Sequence, residues 1–279
     1  EPFAEDAYET ITYPVVFHLI QDKTKVELGQ GVGADIVNYA FNTIYNCFAR
    51  TAAFSPNGAD TKIRFRLAEY DPNGRKMEEK GINRYSLSTS DLNNLNPEKI
   101  KNNPKICWDY KRYLNIWIVE NMGNSVSTPH YILNTADLNQ IQGVSFEQLS
   151  LEEIEKQEYS LTDIGLIYGA RDFAIEDVGY PTQMGKFFGL LDTENQKEDY
   201  CEDTFAYNTY KEPWNTALEG SNSRLKISTD GLIFYSVNIM DASSYKNTIS
   251  MDQVKRIRTI TDNCPHRWAW KSDWAFTGK

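Results

Sequence analysis

The stretch Tyr180-Pro181-Thr182-Gln183-Met184-Gly185-Lys186-Phe187-Phe188-Gly189-Leu190-Leu191-Asp192-Thr193 organises the chain. Proline is tolerated in the first turn of a helix, so Pro181 marks a start. Gly189 is a helix breaker with Phe187 and Phe188 before it and Leu190 and Leu191 after it, so it marks a stop. Between them Thr182 and Lys186 stand one turn apart on one face, with Gln183 next to the first. Asp192 follows three residues after the break. The outline is a short amphipathic helix, a sharp stop, and a polar group brought in behind it.

Working outward, 279 residues suffice for a sizeable core, and 41% hydrophobic with 13% aromatic residues is a globular composition. The formal charge of -10 argues against a nucleic-acid partner, which needs a basic face, and against docking on an anionic membrane. No apolar run approaches the roughly 18 residues of a membrane span. The chain opens Glu1-Pro2-Phe3-Ala4-Glu5-Asp6 without a methionine. The expectation is a removed leader, residues 1–10 as a tether, and a secreted, periplasmic or surface lipid-anchored protein. Cys47, Cys107, Cys201 and Cys264 lie far apart and form no C-x-x-C pair. Disulfides in an exported chain and buried thiols in a cytosolic one both remain open.

In chain order, Thr12–Asp22 is a nearly continuous apolar run, the mark of a strand buried on both faces. Gly29, Gly31 and Gly33 read as a turn before a helix carrying Ile36, Ala40, Ile44, Cys47 and Phe48 on one face. Lys62–Tyr70 alternates as a half-buried strand, closed by the turn Asp71-Pro72-Asn73-Gly74, with Gly81–Tyr85 a short extension. Ser88–Pro104 reads as loop with one short helix. Tyr113–Val119 is a second apolar strand, Ser145–Gln157 an exposed amphipathic helix, and Asp163–Ala170 a short strand. Ser250 and Gln253 form a capping box that opens the helix Met251–Asp262. The aromatic tail with Trp268, Trp270 and Trp274 is expected to pack on the core. One domain over residues 11–279 results, with an upper part to about residue 191 and a smaller irregular C-terminal part beyond it.

With these pieces in order, the chain resembles the pappalysin family of metzincin zinc peptidases. Tyr13–Ile20 is similar to the family's first sheet strand, and Ile63–Ala68 with Asp71–Gly74 and Gly81–Arg84 to its next segment. The most specific match is Trp108 with Arg112–Val119, similar to the family's W-x-x-x-R-Y-L-N-I-W stretch. Asp163–Tyr168 resembles the edge strand beside bound peptide, Asp203-Thr204 a D-T-P remnant, and Asn238-Ile239-Met240-Asp241 the N-x-M-D methionine turn. Asp252–Ile257 matches the closing helix. The resemblance implies an α+β, zincin-like fold: a twisted mixed sheet, an active-site helix, and an irregular C-terminal subdomain.

The family's motif H-E-x-x-H-x-x-G-x-x-H places two histidines a turn apart and swings a third past the glycine onto the same zinc. Here Gly189 is in register, but Thr182, Lys186 and Asp192 stand at the ligand positions and Gln183 at the general base. Threonine is a poor zinc ligand, and lysine puts a positive charge where a dication belongs. A single carboxylate falls short of the three protein ligands that zinc catalysis uses. Glutamine cannot take a proton from water. Ala242 replaces the tyrosine that follows the methionine turn and would stabilise an oxyanion.

The expectation is therefore a catalytically inactive, metallopeptidase-like protein with no zinc or other cofactor, using the old cleft to bind a peptide or protein. Asp163, Ile164, Gly165, Leu166, Ile167 and Tyr168 form the candidate binding edge. Lys186 and Asp192 are expected to pair in the vacated metal position. The alternative is an active zinc-dependent endopeptidase with a non-standard site. His18, His130 and His266 have no second ligand at metal-binding spacing, and Glu198-Asp199 and Glu202-Asp203 lack calcium-loop spacing.

Overall fold

The computed structural model describes residues 7–26, 31–51, 58–122, 130–134, 141–175, 179–194, 198–207, 225–242 and 246–279. The elements run β1 (Ile11–Asp22), α1 (Ala34–Phe48), β2 (Ile63–Leu67), β3 (Ile82–Leu87), α2 (Thr89–Asn93), α3 (Pro97–Lys101) and β4 (Leu114–Val119). They continue with β5 (Tyr131–Leu133), β6 (Phe146–Gln148), α4 (Leu151–Lys156), α5 (Leu161–Ile164), β7 (Gly165–Gly169), α6 (Ala170–Ala174) and α7 (Tyr180–Phe187). The C-terminal part holds the ribbon β8 (Leu225–Ile227) and β9 (Ile233–Tyr235) and the helix α8 (Met251–Asn263). A 3₁₀ segment, Pro265–Lys271, and a closing turn, Trp274–Thr277, complete it.

The long apolar run becomes β1, the spine of a sheet ordered β2-β1-β4-β7. Every pairing in this sheet is parallel. Parallel sheets need cover on both faces, which is why β1 and β4 read as continuous apolar runs. β2 lies along the first half of β1 and β3 along the second, both opposite β4. The two halves are spliced where Gly81 N–H donates to Ala68 O at 2.7 Å and Phe17 N–H to Gly81 O at 2.7 Å. The short extension seen in the sequence is thus β3, and the turn at Asp71 sits in the excursion between β2 and β3.

Alternation along β1 divides the core. Tyr13, Val15, Phe17 and Leu19 face α1 and α7, packing with Ile44, Phe48, Met184, Phe187, Phe188 and Met240. Ile20 faces the other way, with Trp117, Ile106 and Ile164. His18 shares that second face, fully buried, with Nε2 2.8 Å from Asn115 Oδ1 and Nδ1 2.9 Å from Asn83 Nδ2. It is a satisfied core histidine.

The whole is an α+β molecule, as expected, with a mostly parallel sheet; among the described residues the antiparallel strand pair is the separate ribbon β8–β9. Three readings need correction. Ser145–Gln157 is not one helix: Phe146–Gln148 pairs with β5, and Ser150 with Glu153 forms a capping box that starts α4 afresh. Asp163 and Ile164 are not strand, because Ser160 and Asp163 form a second capping box and the two residues end α5. On α1 Ala40, Ile44, Cys47 and Phe48 are buried as expected, but Val37 joins them while Ile36 is only half-buried. Cys47, Cys107, Cys201 and Cys264 are free thiols in the structure, Cys107 half-buried and the other three buried. Of the expected tether, residues 1–6 lie outside the described residues, as does Gly29. At its end Tyr8 stacks under Arg258, 4.8 Å from guanidinium carbon to ring centroid, and Arg258 also donates to Glu9 O.

Candidate functional site

α7 carries the site, and its local sequence explains its shape. Pro181 lies in the first turn after Gly179, the N-cap, which has φ of +60°. On the inner face, a Cβ at Gly185 would come within 3.0 Å of Met240 Sδ and 3.1 Å of Ile239 Cδ1. A glycine there lets the turn carrying Met240 lie directly against the helix. Gly189 has φ of +92°, and a Cβ on it would sit 2.7 Å from Ile260 Cγ1. Conformation and space both require glycine at the break.

The end of α7 leaves carbonyls that the helix itself cannot satisfy. Tyr131 donates its hydroxyl to Lys186 O at 2.5 Å, and Arg267 Nε donates to Phe187 O at 2.9 Å. Arg256 donates through Nε and Nη2 to Gly189 O at 3.2 and 3.0 Å. Both arginines are buried. They complement the negative end of the helix and fix the reversal after Gly189.

That reversal returns Asp192 to the helix, where Lys186 Nζ lies 2.9 Å from Asp192 Oδ1. The expected pair is present. Its side chains are 23% and 28% exposed, so it is partly open to solvent and is not sealed in the core. One turn earlier, Thr182 donates its hydroxyl to Ile239 O at 2.5 Å and accepts from Lys246 Nζ at 3.0 Å. Burial pushes the Lys246 amine below the usual lysine range; Asp241, Asp192 and Glu194 act against this, while Lys186 adds to it.

Beneath these groups, the buried carboxylate of Asp241 accepts from Thr193 Oγ1 at 2.5 Å and Ser236 Oγ at 2.8 Å. Burial raises its pKa, partly offset by those hydrogen bonds. Ala242 donates its backbone N–H to Tyr207 Oη at 2.7 Å. A tyrosine therefore does reach position 242 from elsewhere in the chain. It is fully buried, however, and offers no hydroxyl to a substrate. Asn238 and Gln253 exchange side-chain hydrogen bonds at 2.8 and 2.9 Å, and Asn238 Oδ1 accepts from Met240 N–H at 2.9 Å. The Met240 turn is thereby tied to the first turn of α8.

The donor set does not fit a catalytic zinc. Such a site takes three imidazole, thiolate or carboxylate ligands. Thr182 has its proton on a carbonyl and an ammonium on its oxygen, Lys186 has no lone pair, and Asp192 is one carboxylate already ion-paired. Gln183, buried in α7, has no basic group. Among the described residues no group of three or more histidine, cysteine, aspartate or glutamate side chains is arranged to hold a metal ion.

Of the sequence candidates, Thr182, Lys186 and Asp192 converge, and Met240 packs under Gly185 with Ala242 just beyond it. The proposed binding edge is shortened to β7, whose only strand neighbour among the described residues is β4. Sequence reasoning missed Lys246, Asp241 with its hydroxyl partners, and the two arginines. Lys246 is 64 residues from Thr182 in an irregular stretch, where no periodicity could have pointed to it.

No family model and no curated protein matches the sequence. Solved structures do match. A Tannerella forsythia promirolysin mutant aligns with a TM-score of 0.58 at 20% identity, covering 98% of this chain and 87% of that one. The fold is that of mirolysin, a metallopeptidase. Mature mirolysin in complex with a cleaved peptide aligns with a TM-score of 0.58 at 19% identity, covering 96% of this chain and 97% of that one. Mirolysin in complex with compound 9 gives 0.55 at 19% identity, with 97% and 99% covered. The shared architecture extends over nearly the full length of both chains.

Proposed function

We propose that this chain is a degenerate pappalysin-type metzincin that binds a peptide or protein segment in its cleft and does not hydrolyse it. One observation carries the reading: the three positions that would ligate zinc are taken by Thr182, held between a carbonyl and the Lys246 ammonium, and by the Lys186–Asp192 ion pair. The helix, the glycine break and the Met240 turn of a peptidase are kept, the last as the Met-turn of the family. The reagents for activating water are replaced one by one.

Binding needs no metal. An exposed sheet edge can take up an extended peptide by main-chain hydrogen bonds, with pockets for alternate side chains. β7 ends the sheet among the described residues and packs against α7, the helix that carries Lys186. That mature mirolysin is seen with a cleaved peptide supports a peptide as the class of ligand. A location outside the cytoplasm, secreted, periplasmic or lipid-anchored at the cell surface, is part of the same proposal. Among the described residues no helix is long and apolar enough to cross a membrane.

Metal analysis of the purified protein, together with cleavage of casein and a peptide library with and without a chelator, tests the reading. The expected outcome is sub-stoichiometric zinc and no cleavage, with retention of library peptides on the immobilised protein. Stoichiometric zinc with chelator-sensitive cleavage would overturn it in favour of a peptidase with a non-standard site.

A further inference from the structure

Lys246 lies between the Met240 turn and α8, yet its side chain reaches the first turn of α7. Its Nζ is 3.0 Å from Thr182 Oγ1, and a Cβ on the N-cap Gly179 would come within 3.2 Å of the same nitrogen. The absence of a side chain at Gly179 leaves the ammonium its room. The sense of the hydrogen bond is fixed by the geometry. Thr182 spends its proton on Ile239 O, so toward Lys246 it can only accept. A nucleophile and its base would need the opposite arrangement, with the hydroxyl proton directed at the amine. The pair is structural and electrostatic.

We propose that Lys246, together with Lys186, is the resident cation of this cleft, two ammonium groups supplying the positive charge that a divalent metal would bring and excluding such an ion. Three carboxylates attend them: Asp192 directly on Lys186, and Asp241 and Glu194 acting with it on Lys246. An ammonium so placed repels an arriving dication, and the carboxylates nearest it are already engaged, Asp192 by Lys186 and Asp241 by the hydroxyls of Thr193 and Ser236. The inference rests on the non-hydrolytic reading above and names the residue that maintains it. Restoring histidines at the degenerate positions is then insufficient to restore metal binding while Lys246 remains.

The test is calorimetric zinc titration of T182H/K186H, in which Asp192 can serve as the third donor, against the same chain carrying also K246M, K246Q or K246R. The expected result is at least 100-fold tighter zinc binding with K246M and with K246Q than with Lys246 or K246R, since charge and not bulk decides. Equal affinity across the four, or K246Q as weak as lysine, overturns the proposal. If the histidine background fails to fold by near-ultraviolet circular dichroism, single substitutions in the native chain decide. K246Q should then melt several degrees below wild type, and K246R, which keeps the charge, should lose less. A K246Q chain melting with wild type overturns the proposal. Zinc bound to the unaltered protein would instead sink the non-hydrolytic reading itself, so the two failures are distinct.

Discussion

Removing single side chains separates what holds the cleft from what decorates it. The Lys186–Asp192 pair is partly exposed, so screening and side-chain entropy limit its worth to about 0–1 kcal/mol. Asp192→Ala should cost about that much in urea unfolding, and less in high salt. Arg267 stands at the other extreme. It is 2% exposed, donates to Phe187 O and Asp163 O, and lies 3.5 Å from the Phe187 ring centroid. Its loss strands the buried carbonyl of Phe187 and the part-buried one of Asp163, each hydrogen-bonded to a charged group. Arg267→Met should therefore destabilise the fold by about 3 kcal/mol or more, read by the same measurement.

Two buried histidines set the acid limit. His18 is held neutral by burial, its pKa lowered to about 4, with the Asn115 hydrogen bond acting weakly the other way. His266, edge-on to Tyr110 and Tyr159, is likewise lowered to about 4, by burial first and then Arg267. Because the folded pKa lies below the ordinary histidine value of 6.5, the unfolded chain binds more protons between pH 6.5 and 4. The neutral rings stabilise the fold fully above that window, and the contribution falls as pH drops through it. Each ring contributes a slope of up to about 1.4 kcal/mol per pH unit there. Urea midpoints at pH 7, 5.5 and 4.5 should fall steadily, and His18→Gln should flatten the curve.

Among the elements, α7 was the most legible, because a glycine break and a proline start are local signals. β1 and β4 were legible as apolar runs, and α8 through its capping box. Where the sequence misled, two local signals competed. The apolar Ile164-Gly165-Leu166-Ile167 run suggested that strand began at Asp163, but Ser160 and Asp163 together start a helical turn that holds until Gly165. Ser150 and Glu153 did the same to the helix expected from residue 145. The pairing of Thr182 with Lys246 and the arginine caps on α7 were illegible for another reason: they are contacts between distant, irregular segments, and leave no pattern in spacing. The break itself gives a sharp prediction. Gly189→Ala forces a Cβ into a left-handed conformation and against Ile260. It should cost about 2 kcal/mol or more by thermal unfolding.

For the molecule as a whole, the binding proposal makes a spatial prediction. Hydrogen–deuterium exchange with a retained library peptide should slow amides along Gly165–Gly169 and leave β2, at the opposite end of the sheet, unchanged. A chelator should alter nothing. Protection on the β8–β9 ribbon in place of β7 would move the binding surface to the C-terminal part.

The arginine caps also bear on how the protein is made. Synthesis proceeds from the amino end, and the carbonyls of Phe187 and Gly189 wait for Arg267 and Arg256. Near the start, Tyr13 likewise finds its hydroxyl's acceptor only at Arg267 O, and Glu9 is met by Arg258. A nascent chain whose Arg256–Arg267 segment has not yet emerged from the ribosome can therefore expose β1 and α7 without the hydrogen bonds that fix them. Stop codons before Arg267 should yield a product that proteases degrade, because Arg267 and Arg258 clasp Tyr13, Glu9 and Phe187.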